Sequence, residues 1–186
     1  AALETPTELS PVCSPLHGFQ SDQLPDIVAK PYNPPSPGGE GGHHGVDFSF
    51  YSYGAFTSME GIPVQAVLDG VVAAVIADRP PYGNMVIIET PLSSLPLAWH
   101  EALAALPSLS HHQPDNRLQC PTPIAGDQFS NPESLYLLYA HLAEKPNLAN
   151  GDHLGCGQQI GLVGNTGYSG NTHLHLEMRL GPSGVQ

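Results

Sequence analysis

Hydrophobic and polar positions along the chain fall into short runs, most of them too short for helices. Residues 47–53, Asp-Phe-Ser-Phe-Tyr-Ser-Tyr, are aromatic-rich and alternate as a strand does. Residues 63–77 are dominated by Val, Ile and Ala, with Asp69-Gly70 as a hairpin-type turn signal. Residues 84–90 form another Val/Ile run after the turn signals Pro80, Pro81 and Gly83. Residues 134–142, 159–163 and 173–180 also read as strands. Many short strands at close spacing predict an all-β domain with few short helices.

Elsewhere the pattern is weaker. Residues 1–30 have no clear period, and Pro11, Pro15 and Pro25 break any helix. Residues 31–42 are a Pro/Gly run with no packing capacity of their own, a loop or linker. Residues 91–133 interrupt the strands; 97–106 predict one short helix, and the prolines around it predict loop. A length of 186 residues fits one domain over 1–186, with 1–42 as lead-in and 91–133 as insertion.

Twenty Gly and twenty Pro favour turns over long helices. Five Lys and Arg against 17 Asp and Glu give a net charge of -12. Such a surface repels phosphate backbones and anionic lipid, so nucleic acid is excluded as a partner class. No apolar run approaches membrane-span length. Cys13, Cys120 and Cys156 form no CxxC pair, which speaks against a cysteine zinc site. They allow one disulfide, with Cys120–Cys156 as the expected pair. The chain does not start with Met and shows no export signal, so it reads as a mature or trimmed fragment.

The candidate chemistry sits in three segments. Along 173–180, His173, His175, Glu177 and Arg179 share one face, and Leu174, Leu176, Met178 and Leu180 share the other. Two imidazoles side by side over packed leucines suit one metal ligand and one acid/base group. His43 and Asp47 bracket Gly45, which lets the backbone turn sharply between them; His44 could replace His43. His43, Asp47 and His175 would give the three protein ligands of a catalytic Zn²⁺ site, with the fourth position left to water. His141, in an otherwise apolar strand, and His173 then remain as unligated acid/base groups. Glu177 is either a partner that orients an imidazole or, the reading preferred here, a solvated residue.

Two other metal or carrier readings fail on residues. His100-Glu101 begins like HExxH, but Ala104 stands at the second ligand position. A biotinyl-type carrier needs a lysine at a hairpin tip, and neither Lys30 nor Lys145 sits in such a turn.

In order, His43-x-Gly45-x-Asp47, Tyr139-Ala140-His141-Leu142, Gly161-x-x-Gly164-Asn165-Thr166-Gly167 and His173-Leu174-His175-Leu176-Glu177 resemble the M23 (LytM, lysostaphin-like) metallopeptidases. The stretch Gly151–Gln158 is similar to a hairpin of that family, and the resemblance spans 43–181 apart from the insertion. It implies a twisted antiparallel sheet with a groove, Zn²⁺ on His43, Asp47 and His175, and His141 and His173 as catalytic histidines. It implies an exported peptidase that cuts peptide bonds in peptidoglycan. The rival within the family is a non-catalytic regulator or wall-binding module. The insertion 91–133 would wall or cover the groove, with the Trp99 region as its helical piece.

Overall fold

The computed structural model describes residues 12–34, 41–104 and 133–184. Among these, nine strands make an almost wholly antiparallel β structure: β1 Val28–Lys30, β2 Val46–Phe48, β3 Pro63–Gln65, β4 Gly70–Arg79, β5 Gly83–Pro91, β6 Ser134–Leu142, β7 His153–Leu154, β8 Gln159–Leu162 and β9 Leu174–Gly181. Seven form one sheet in the order β1-β2-β9-β6-β5-β4-β7, and β3 pairs with β8 in a second sheet. The helix α1 spans Leu97–Ala104.

The two faces of the large sheet differ, as period-two alternation requires. On one face Leu135, Leu137 and Tyr139 of β6, Val86 and Ile88 of β5 and Leu174 of β9 join the main core. Leu16, Phe19 and Ile27 of the lead-in and Val64 and Ile160 of the small sheet complete it. The Tyr139 hydroxyl, fully buried, accepts the Val67 N–H at 2.9 Å, so a polar tip inside the core is satisfied. On the opposite face Met85, Leu138 and Ala140 make a small apolar patch beside His175 and Glu177.

Three expectations are corrected by tertiary packing. The run 47–53 leaves the sheet after Phe48, because Phe50 and Tyr53 both turn onto Phe19, with ring centroids at 5.7 and 5.6 Å. Asp69-Gly70 is not a hairpin: β3 pairs with β8, and the β4–β5 hairpin turns at Pro80–Gly83 instead. The disulfide joins Cys13 to Cys156, across 143 residues, and not Cys120 to Cys156. Cys120 itself lies outside the described residues. The bridge ties the lead-in to the β7–β8 connection, where Cys13 N–H also bonds the Val67 carbonyl. A link closing so long a loop typically stabilises by about 2–4 kcal/mol.

Helix α1 packs on the main core through Trp99 and Leu103, next to Leu92 and the buried Leu95. This places the start of the insertion against the core rather than in the wall of the cleft described below. Its remainder, 105–132, lies outside the described residues.

Candidate metal centre

The neighbouring strands β2, β9 and β6 of the large sheet, with the segments leading into β2 and β9, bring His43, Asp47, His141, His173 and His175 together. Asp47 and His175 are opposed across β2 and β9, and His175 is opposed to Ala140 across β9 and β6. His43 precedes β2, where Asn33 and His43 form a two-way backbone bridge. The four histidines are each under 9 % exposed, and Asp47 is half-buried. His44, beside them in sequence, is exposed on the rim, whereas His43 is buried in the cluster.

Gly45 has a different reason from the one its sequence suggests. Its φ is not in the left-handed region; a Cβ there would run into the Leu176 carbonyl and come within 2.9 Å of Glu177 Cγ. Close approach of β2 to β9, not a sharp turn, requires glycine.

His141 reaches the cluster by a break in its strand. Strict alternation would send it to the core face with Leu135, Leu137 and Tyr139. Asn84 and Val86 of β5 instead pair with Leu142 and Tyr139, so β6 takes three steps where β5 takes two, a β-bulge. His141 holds φ +60°, in the left-handed region, and both Ala140 and His141 face the cluster side while Leu142 returns to the core. The bulge is clipped from outside. The Tyr82 carbonyl accepts His141 N–H at 2.9 Å, and Thr166 Oγ1 donates to the Leu142 carbonyl at 2.8 Å.

Hydrogen bonds fix the outward nitrogen of every imidazole. His43 Nδ1 lies 2.9 Å from the Pro31 carbonyl, His141 Nδ1 2.7 Å from Thr166 O and His173 Nδ1 2.8 Å from Asn171 O. His175 Nε2 lies 3.0 Å from Glu177 Oε1. Carbonyls and carboxylates only accept, so a neutral ring protonated on its outer nitrogen keeps that bond and turns a lone pair inward. Three of those inward nitrogens face one oxygen. Asp47 Oδ1 is 3.0 Å from His43 Nε2, 2.7 Å from His175 Nδ1 and 3.5 Å from His173 Nε2. The rings of His141 and His173 lie 4.5 Å apart.

Lone pairs converging on a carboxylate repel unless a cation or a proton lies between them. The titration behaviour without metal reflects that demand. Burial opposes charge on His175, yet its bonds to Asp47 and Glu177 lift its pKa to about 9. Asp47 is also burdened by burial, but the neighbouring imidazoles hold it below the usual carboxylate range. Burial pushes His141 down, against the opposing bond to Thr166. Two overlapping triads could hold a metal ion: His43, Asp47 and His175, and His141, His173 and His175, with ligand atoms within 4.8 Å. No group found among the described residues includes His100. Tetrahedral zinc bonds of about 2.0–2.1 Å place ligand atoms roughly 3.3 Å apart. The contacts of 2.7 and 3.0 Å around Asp47 are close to that spacing, so the donor set fits the ion.

Glu177 is not a solvated residue: it is 1 % exposed. Its Oε1 accepts from Tyr82 Oη at 2.6 Å as well as from His175, and its Oε2 accepts from Arg179 Nε at 2.7 Å. Burial would raise its pKa, but these three donors bring it to about 2. Sequence reading also passed over Tyr82, whose signal was an aromatic residue inside a Pro-Pro-x-Gly turn, and Thr166, within the Gly-Asn-Thr-Gly motif. A cleft of about 440 Å³ runs over the cluster, lined also by Lys30, Tyr82, Tyr168 and Asn171. None of its lining comes from 91–104.

Comparison with known proteins bears on the fold. Residues 128–186 match the family profile Peptidase family M23. No curated protein matches the chain in sequence. Among solved structures, the catalytic domain of the antimicrobial peptidase lysostaphin from Staphylococcus simulans is 23% identical, covers 88% of each chain and superposes with a TM-score of 0.51. A zinc containing peptidase from Vibrio cholerae is 23% identical over 82% of this chain, with a TM-score of 0.49; the match spans 33% of that longer chain. The catalytic domain of the prophage-encoded M23 protein EnpA from Enterococcus faecalis, in a variant form, is 22% identical over 83% of this chain and 81% of its own, with a TM-score of 0.49. Residues 128–186 thus match peptidase family M23, on a fold shared with the lysostaphin catalytic domain.

Proposed function

We propose that the chain is a zinc-dependent endopeptidase that hydrolyses peptide bonds in bacterial peptidoglycan, outside the cytoplasm. The observation that carries this reading is the convergence of three inward imidazole nitrogens, of His43, His173 and His175, on the Asp47 carboxylate, with His141 beside them and the outer nitrogen of each imidazole already engaged. His43 Nε2, Asp47 Oδ1 and His175 Nδ1 are the proposed ligands, because the carboxylate brings the negative charge and the shortest contacts. Zinc in that position supplies Lewis acidity, lowering the pKa of water toward about 7 and polarising a carbonyl oxygen.

His141 and His173 do the proton work. Both are buried beside the proposed ligands, and neither belongs to the Asp47 triad. His141, kept neutral by burial, has an inward nitrogen free to accept a proton at neutral pH. Its backbone bulge and its bond to Thr166 fix the direction of that nitrogen. His173 is oriented the same way through Asn171 and Ser169, the latter at 3.1 Å. Between them the pair can take a proton from water and return one to a leaving amine. The Cys13–Cys156 disulfide suits an oxidising compartment, which supports an extracytoplasmic site of action.

Incubation of the zinc-loaded protein with purified peptidoglycan tests the reading. Soluble muropeptides with new amino termini are expected, and a chelator should stop their release. An intact wall after incubation with zinc-loaded protein would overturn it.

A further inference from the structure

We propose that Glu177, held by Tyr82 and Arg179, is a positioning residue that decides which nitrogen of His175 faces the metal. The inference rests on the reading of His175 as a ligand.

A neutral imidazole carries one proton and has two places to put it. His175 stands between two carboxylates, Asp47 at its Nδ1 and Glu177 at its Nε2. A proton on Nδ1 would block the nitrogen that faces Asp47 and His43, and would leave the Nε2 lone pair pressed on a buried carboxylate. A proton on Nε2 satisfies Glu177 and frees Nδ1. The site therefore works only if Glu177 wins the proton.

The surroundings of Glu177 are built for that outcome. The carboxylate side chain is fully out of solvent, while the guanidinium it pairs with is 55 % exposed. Arg179 donates to Oε2 through Nε and again through Nη2, and an arginine cannot surrender its proton. With Tyr82 and Arg179 both donating to it, the Glu177 carboxylate is placed to accept from His175 Nε2. Tyr82 donates to Oε1 and receives a bond from Arg179 at 3.1 Å, which closes a three-residue network around the carboxylate. Gly45 leaves the space that the Glu177 side chain occupies.

His175 differs here from the other three histidines. His43, His141 and His173 lean on backbone carbonyls, which are neutral acceptors. His175 alone leans on a charged side chain, and a carboxylate partner raises the basicity of a metal-bound imidazole. Tyr82 also lines the cleft, with its ring centroid 5.8 Å from that of His175.

The test is zinc affinity, measured by competition with a chromophoric chelator, on wild type, Glu177→Gln, Glu177→Ala, Tyr82→Phe and Arg179→Gln. Arg79→Gln, an exposed arginine with no bond to Glu177, Tyr82 or His175, is the control. Loss of an outer-shell partner typically costs about 10–100-fold in metal affinity. We expect Glu177→Ala near the top of that range and Glu177→Gln, whose amide oxygen still accepts from Nε2–H, near the bottom. Tyr82→Phe and Arg179→Gln should weaken binding less, and Arg79→Gln not at all. A second readout separates positioning from mere stability. Long-range ¹H–¹⁵N spectra of the zinc-loaded proteins should place a slowly exchanging proton on His175 Nε2 in wild type and lose it in Glu177→Ala. Wild-type zinc affinity and an unchanged His175 signal in folded Glu177→Gln would overturn the proposal. If Glu177→Ala fails to fold, Glu177→Gln decides alone. Failure of wild type to bind zinc would instead overturn the ligand reading, and this inference with it.

Discussion

Strands β9 and β6 lie side by side, and the segment leading into β9, β9 itself and β6 all send histidine into the same cluster. Along β9 the delivery is regular. His175 and Glu177 face the cleft, Leu174 and Leu176 face the core, and no residue of the strand has a positive φ. In β6 the delivery needs an extra residue, a left-handed backbone at His141 and bonds from Tyr82 and Thr166. The lesson is that a regular strand can present alternate residues only. Placing an imidazole next to Ala140 on the same face requires a bulge, and the bulge must be held by neighbours.

The largest effect expected from this contrast is catalytic. His141→Ala and His173→Ala should each lower the rate of muropeptide release by about 10²–10⁴-fold, as general acid–base groups do. Near-normal release by either variant would remove that histidine from the proton work.

Gly45→Ala probes the regular side. The added methyl meets the Leu176 carbonyl and the Glu177 side chain, where β2 must approach β9 closely. Overpacking of this kind costs about 1–3 kcal/mol. Chemical denaturation of the metal-free variant should show a lowered midpoint with an unchanged slope; an unshifted midpoint would mean that β2 can move away freely.

The smallest effect is the most specific to the comparison. At φ +60° an alanine is strained by about 1–2 kcal/mol, and a glycine is not. Metal-free His141→Gly should therefore be more stable than His141→Ala by about 1 kcal/mol. In the middle of β9 the sign reverses, and His175→Gly should be less stable than His175→Ala by about 0.5–1 kcal/mol. The same sign at both positions in thermal unfolding would deny the bulge.

This contrast also explains what the sequence could disclose. The alternation along 173–180 is a local property, so the shared face of His175 and Glu177 was legible, and the His-x-Gly-x-Asp spacing supplied their neighbours. The strand at 134–142 was legible in extent but not in face, because a bulge is set by the partner strand and by Tyr82 and Thr166. The burial of Glu177 was hidden for a related reason: Arg179 shares its strand, but Tyr82 comes from a distant turn. The aromatic run at 47–53 misled because Phe19, far away in sequence, draws Phe50 and Tyr53 out of the sheet. The Cys13–Cys156 bridge depends on where the lead-in lies, and that segment has no period to reveal it.

The division between ligands and proton carriers is tested most directly by zinc content. After equilibration with zinc and removal of excess, elemental analysis should find about one ion per chain in wild type, His141→Ala and His173→Ala. It should find little in His43→Ala, Asp47→Ala and His175→Ala, all measured on folded protein. Full zinc in those three variants, or its loss with His141 and His173, would contradict the assignment.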